Sequence, residues 1–432
     1  MLRRRLLSQN IVRVAVVKNL WRLPVLLAVL FPLVVFVASD PVYSTTSFHR
    51  RVPVTTTTTV PKTTTTTTVT TTTSLNAAYL RGSAPGTGSH APRPAPAPAP
   101  TTTTTAAPAP APSATSSAAL FGMSVPSLLG ESPSQMSATL TTMASIGLRW
   151  VRVDADWDYI QPTSPSTYDW SATDAVVAAA KSAGISVDLV IDDSPAWANG
   201  SNSGGTFTQP TSAAAYAAFA GQVAAHYGPL GVHAYEIWNE PNIQGFWLPA
   251  PNPTFYTSML KDAYAAIKAV QPGSTVLSGG LAPAATDGTD YNAIDFLNDM
   301  YANGAAGSFD ALGYHAYSYP ALADTYESWS GWSQMNATSP SIRSVMTAHG
   351  DGNKQIWITE VGAPSAGPDG VGTTAQAQEV TQVVQAVKSS PWIGECFFYT
   401  YQDSATDPDY FGLLNADGSQ KPAWGALAAA VG

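Results

Sequence analysis

From Ala119 to the end of the chain, short apolar runs alternate with Ala-rich helical patterns about every 35 to 40 residues. This repeat restricts the possible folds more than any other feature. The strand candidates are LFGMSVP (120–126), RWVRVDADW (149–157), SVDLVIDDSP (186–195), VHAYEIWNEPN (232–242), STVLSGGLAP (274–283), ALGYHAYSYP (311–320), QIWITEVGAP (355–364) and GECFFYTYQD (394–403). Helical patterns lie between them, and several open at Ser, Thr or Asp and end at Gly, as helix caps do. Eight such units in about 310 residues predict a (β/α)₈ TIM barrel, an α/β fold, rather than an open sheet. No Gly-x-Gly-x-x-Gly follows the first strand, which argues against a dinucleotide site.

A barrel of this class carries its active site at the C-terminal ends of its strands. The polar residues expected there are Arg152, Asp154 and Asp156 on the second strand, Asp192 and Asp193 on the third, and Asn239 and Glu240 on the fourth. His315 and Tyr317 end the sixth, Glu360 the seventh, and Tyr399, Tyr401 and Asp403 the eighth. Glu240 sits in Trp238-Asn239-Glu240-Pro241-Asn242 and Glu360 in Trp357-Ile358-Thr359-Glu360-Val361, on opposite sides of the expected barrel mouth. Facing carboxylates suit glycosidic bond cleavage, which needs one proton donor and one group to meet the developing oxocarbenium carbon. Retention would place the two carboxyl groups about 5 to 5.5 Å apart.

With these motifs the sequence resembles the clan A glycoside hydrolases, in particular families 39 and 5, the β-xylosidase-related and cellulase-related groups. The resemblance runs from Phe121 to Trp424 and includes Trp150–Trp157 (WVRVDADW), Gly313–Tyr317 (GYHAY) and Phe411–Trp424. It implies a retaining O-glycosidase with Glu240 as acid/base and Glu360 as nucleophile. It further implies that Asn239 binds the sugar 2-hydroxyl, that Arg152 keeps Glu360 ionised, and that His315 and Tyr317 border the reacting sugar. Strand 8 departs from the pattern: many relatives end it with a Trp under that sugar, whereas this chain reads Phe397-Phe398-Tyr399-Thr400-Tyr401. Tyr399 is then the expected stacking partner, with less area than an indole. Trp197 is expected to bind substrate, while Trp157, Trp238 and Trp247 are read as packing ahead of sugar platforms. Asp154, Asp156, Asp192 and Asp193 suit sugar hydroxyls, and their spacing lacks a D-x-D-x-D-G cation loop. No cofactor or metal is called for. Transglycosylation and a non-catalytic carbohydrate-binding barrel remain open alternatives, whereas a serine esterase would need the missing Gly-x-Ser-x-Gly.

Charge is divided along the chain. From Ala119 there are nine Lys plus Arg against 28 Asp plus Glu, so the body repels phosphate backbones and nucleic acid is excluded as a partner. The lone Cys396 leaves a monomeric catalytic domain to be held by burial without a disulfide. Residues 1–22 are basic and precede the uncharged run Leu23–Ser39. That run rises about 25 Å as a helix, so it suits either a membrane anchor or the apolar region of a signal segment. Residues 40–118 form a Thr/Pro/Ala-rich linker, and 119–432 the barrel. The expected location is the cell membrane with the barrel outside, or secretion if the segment is cleaved.

Overall fold

The computed structural model describes residues 120–201, 205–406 and 409–432. The anchor or signal and linker expectations fall outside the described residues. Among these, no helix is long and apolar enough to cross a membrane.

Eight parallel strands form one sheet: β1 (Phe121–Ser124), β2 (Trp150–Asp154), β3 (Ser186–Ile191), β4 (Ala234–Asn239), β5 (Thr275–Gly280), β6 (Leu312–His315), β7 (Ile356–Val361) and β8 (Ile393–Tyr399). Their order is β5-β4-β3-β2-β1-β8-β7-β6. The gap between β5 and β6 is spanned by isolated bridges, Leu277 to Ala311 and Leu281 to Tyr314, so the barrel is nearly closed. The intervening helices are α1 (Pro133–Ser145), α2 (Ser171–Ala183), α3 (Ala213–Tyr227), α4 (Pro253–Val270), α5 (Ala293–Ala302), α6 (Ile342–Ala348), α7 (Thr373–Ser389) and α8 (Pro422–Val431).

Side chains set the helix starts as the sequence suggests. Ser132 accepts from Gln135 N–H at α1, Ser212 from Ala215 N–H at α3, and Asn252 from Phe255 N–H at α4, each relieving an orphan donor of the first turn. The helical patterns expected from sequence omit α8 and three short helices, Trp157–Ile160, Ala196–Asn199 and Gly331–Asn336. The three short helices carry no apolar period of their own, and α8, PAWGALAAAV, lacks charged or polar side chains to mark one. The segment after β6 ends in one of the short helices, the helical turn Gly331–Asn336.

Inside the barrel, the period-two alternation of strand side chains decides what stacks above what. Trp150, Ala234, Leu277, Ala311, Trp357 and Phe397 form an apolar cluster separate from the main core. Trp150 of β2 meets Trp357 of β7 edge-on at 5.3 Å, a contact between non-adjacent strands that only the barrel interior allows. Two residues further along β2 and β4 come Arg152 and Glu236, both buried. The interior thus changes from apolar to charged on the way to the mouth.

Candidate active site

The motif at the end of β4 folds through an unusual backbone. Trp238 and Glu240 both lie in the left-handed region, with φ of 73° and 45°. Non-glycine residues there cost on the order of 1–3 kcal/mol each, so neighbouring contacts must fix them. The Trp238 indole N–H donates to the Phe246 carbonyl at 2.7 Å, and its ring packs edge-on against Trp247 at 5.1 Å. Asn242 ties the turn to the segment after β5, donating to the Ala282 and Tyr291 carbonyls and accepting from Ala282 N–H. The bend leaves no room on β5: a Cβ at Gly279 would stand 2.5 Å from the Trp238 carbonyl oxygen. Asn239, between the two strained residues, and Glu240 itself are presented to the mouth.

Glu240 and Glu360 are brought together. One oxygen of each and a ring nitrogen of His315 lie within 4.8 Å of one another. Glu240 Oε1 is 2.7 Å from His315 Nδ1, and His315 is fully buried. Glu360 Oε1 accepts from Arg152 Nη1 at 2.6 Å and from Ser124 Oγ at 3.3 Å, while Oε2 accepts from the Tyr317 hydroxyl at 2.7 Å. Arg152 Nη2 donates to Asn239 Oδ1 at 2.8 Å, which leaves the Asn239 amide NH₂ free of Arg152. Arg152 Nε donates to Glu236 Oε2 at 2.6 Å, and Gly280 N–H donates to Glu236 Oε1 at 2.6 Å. One guanidinium thereby links β2, β4 and β7.

The two carboxyls are driven apart electrostatically. Burial pushes Glu240 up, and this outweighs the hydrogen bond and charge of His315 that pull it down. Burial would also raise Glu360, but the charges of His315 and Arg152, with the Tyr317 and Ser124 hydrogen bonds, hold it below the usual carboxylate range. Burial opposes a charge on His315, yet Glu360 and the bond to Glu240 raise its pKa on balance. The pair Glu240 and His315 can therefore hold a proton while Glu360 stays ionised. Glu240, His315 and Glu360 are also near enough together to ligate a cation. Arg152, already 2.6 Å from Glu360, would repel one.

His315 depends on Gly280. A Cβ at that position would overlap His315 Nε2 and lie 2.6 Å from Thr359 Oγ1. We expect Gly280→Ala to destabilise the barrel by about 1–3 kcal/mol through overpacking and to move the imidazole off Glu240. Chemical denaturation, with the His315 titration followed by NMR, checks this; unchanged stability and titration would show that the contact is easily relieved.

The remaining sequence candidates divide. Tyr399 stands edge-on to Tyr317 at 6.5 Å and to Phe411 at 5.6 Å, in an aromatic cluster that includes Tyr319. Trp197 is not part of the hydrogen-bonded cluster. Its indole N–H donates to the Gln161 carbonyl at 2.7 Å, its ring meets Trp157 at 5.5 Å, and it lines a cavity of about 180 Å³ with Tyr168 and Phe219. Trp157, Trp238 and Trp247 are buried, each with its indole N–H satisfied, and serve packing. Asp156 caps the Trp157–Ile160 helix by accepting from Tyr159 N–H. Asp154 is pushed up to about 6 by burial, against the pull of Arg152. Sequence reasoning missed Ser124, Glu236 and Asn242. The available signal for Glu236 was a charged residue in the middle of an otherwise apolar strand, which has to be paired.

Fold and site together define a (β/α)₈ barrel of the glycoside hydrolase type. The family model of cellulase, glycosyl hydrolase family 5, matches residues 111–401, and the chain belongs to that family. No curated protein matches it. Among solved structures, a family 39 glycoside hydrolase from the gut symbiont Bacteroides cellulosilyticus WH2 aligns at TM-score 0.58 and 23% identity over 74% of this chain. The chain spans 65% of that protein's length. A GH5_18 protein from Streptomyces cattleya in complex with GlcNAc aligns at TM-score 0.55 and 22% identity, over 72% of this chain and 79% of that one. Xylanase 10B from Thermotoga maritima aligns at TM-score 0.51 and 15% identity, over 73% and 95%. At these identities the likeness is one of fold.

Proposed function

We propose that the chain is a retaining β-glycosidase that cleaves a polysaccharide or oligosaccharide by double displacement. The observation that carries this reading is the close approach of Glu240 and Glu360, within 4.8 Å at one oxygen each, with their proton affinities moved in opposite directions. Inverting enzymes keep their carboxyls about 6.5–9.5 Å apart to admit water.

In the first step a Glu360 oxygen bonds to the anomeric carbon, the bond to the leaving oxygen breaks, and that oxygen takes the proton of Glu240. In the second, water bonds to the same carbon while giving a proton to Glu240, and Glu360 leaves as a carboxylate. Arg152, Tyr317 and Ser124 keep Glu360 anionic and oriented for attack. The Asn239 amide NH₂ is placed to donate to a sugar hydroxyl. His315 and Tyr317 border the reacting sugar, and Tyr399 offers it an aromatic face.

The substrate is a glycan outside the cell. The basic residues before Leu23–Ser39 and the Thr/Pro-rich span after it support an extracytoplasmic barrel. Tyr326 and Trp329, exposed in the segment after β6, suit contacts with sugar units beyond the cleavage point. A panel of activated 2-deoxy-2-fluoro-β-glycosides (glucoside, mannoside, xyloside) tests the reading. One of them is expected to add a single glycosyl mass, located on Glu360 by peptide mapping. Hydrolysis of β-glycans without labelling of Glu360, or with inverted products, would overturn it.

A further inference from the structure

Arg152 is buried between two carboxylates, and the double-displacement reading above uses only one of them. Its side chain is 3% exposed, Glu236 is 0% exposed, and the two meet at 2.6 Å. Glu236 has no solvent to fall back on: its other oxygen accepts Gly280 N–H at 2.6 Å. It therefore has one partner in the backbone of β5 and one in Arg152. We propose that Glu236 is a positioning residue for the nucleophile: it fixes Arg152 between β4 and β7 and supplies the negative charge that Arg152 still needs once Glu360 has become a neutral glycosyl ester.

The argument is one of charge balance and rests on Glu360 being the nucleophile. Before reaction, Arg152 faces two anions. Attack by Glu360 forms an oxygen–carbon bond, and the electron pair of the broken bond leaves with the departing oxygen, which takes the proton of Glu240; the negative charge thus passes from Glu360, bonded to Arg152, to Glu240, bonded to His315. Without Glu236 the intermediate would leave buried Arg152 with no carboxylate bonded to it, a costly arrangement. With it, the intermediate retains a complete ion pair. The price is paid in the resting enzyme, where Glu236 takes a share of Arg152 and leaves Glu360 less strongly held than it would be alone. That keeps the nucleophile reactive.

Other groups facing Glu360 do not replace this role. His315 and Tyr317 come from β6 and the segment after it, Ser124 from β1, Glu240 from the end of β4, Asp154 from β2, and Tyr399 from β8. None of these is a second anion bonded to Arg152. Asp188 on β3 lies near Glu236, but burial first, and then the charge of Glu236, push its carboxyl well up. Neither of its oxygens has a hydrogen-bond partner in the structure. Its environment favours the neutral acid, leaving Glu236 as the interior counter-charge.

The test titrates Glu360 in the full chain without substrate. The chain has seven glutamates, so carbon-13 label at the glutamate carboxyls gives few signals, and Glu360→Gln assigns the one of interest. Glu236→Gln removes the charge and can keep its one acceptor oxygen for Arg152 Nε, with the amide NH₂ replacing the oxygen that accepts Gly280 N–H. The Glu360 midpoint is expected to move to lower pH, because Arg152 then serves Glu360 alone. A midpoint that stays or rises would overturn the proposal, since loss of Arg152 from Glu360 would raise it. If the Gln variant does not fold, Glu236→Asp draws the charge back by one methylene, and the midpoint falls by less; again, no fall overturns it. On a substrate found by the fluoroglycoside panel, Glu236→Gln should slow ester formation by about 100-fold, the scale set by an unpaired buried charge. Because the titration uses no substrate, it can fail while the glycosidase reading stands, and the labelling can fail while Glu236 is shown to tune Glu360.

Discussion

Glu360→Ala is expected to lower kcat/KM by at least about 10⁴-fold while the protein remains folded, with an unchanged far-ultraviolet spectrum and a Tm close to that of the parent. The size follows from the step removed: without the carboxylate no ester forms, and water in the same space is a far weaker nucleophile. Preservation of the fold follows from Glu236. With Glu360 gone, Arg152 still has an ion pair at 2.6 Å and a hydrogen bond to Asn239 at 2.8 Å, so no unpaired charge is left in the barrel. Azide offers a sharper readout. A small anion entering the emptied space would attack the same face of the sugar that Glu360 attacks, and since no second displacement follows, the glycosyl azide should carry inverted configuration. A variant within about tenfold of the parent on the same glycan would remove Glu360 from the mechanism.

Much of this site could be read from the sequence, for reasons that also explain the omissions. The eight strands were legible because runs such as SVDLVI and IWITEV alternate with capped, Ala-rich helices at a steady interval. Their C-terminal ends then pointed to Glu240 and Glu360, and the structure sets these two side by side. What the strand pattern cannot supply is partnership across the barrel. Glu236 and Arg152 are separated by 84 residues and meet only once the sheet curls, so neither residue alone reveals the other. The tryptophans show the same limit. Trp238 and Trp247 lie at or after a strand end, where a sugar platform would also lie, but the left-handed bend at Trp238 turns its indole into the core. Only the backbone conformation distinguishes the two uses.

The second large effect belongs to Glu240. Glu240→Gln is expected to slow cleavage of an unactivated glycoside by about 10²–10⁴-fold, the range general acid catalysis contributes. A 2,4-dinitrophenyl leaving group needs no proton, so with that substrate formation of the ester should survive. Its hydrolysis should not, because the incoming water has lost its base. The variant should therefore release a rapid burst of dinitrophenol equal to the enzyme present and then turn over slowly, and an equal loss on both substrates would sink the assignment. The pH profile gives an independent check. The acid limb of kcat/KM reports ionisation of Glu360, which Arg152 and His315 shift below the usual glutamate range, and the basic limb reports loss of the proton from Glu240, which burial shifts above it. The active window should thus be wider than for two ordinary glutamates on both sides. Since Glu240 and His315 share a 2.7 Å hydrogen bond, the basic limb belongs to the pair rather than to either group. In Glu240→Gln that limb should vanish while the acid limb stays, because Arg152, Tyr317 and Ser124 still hold Glu360.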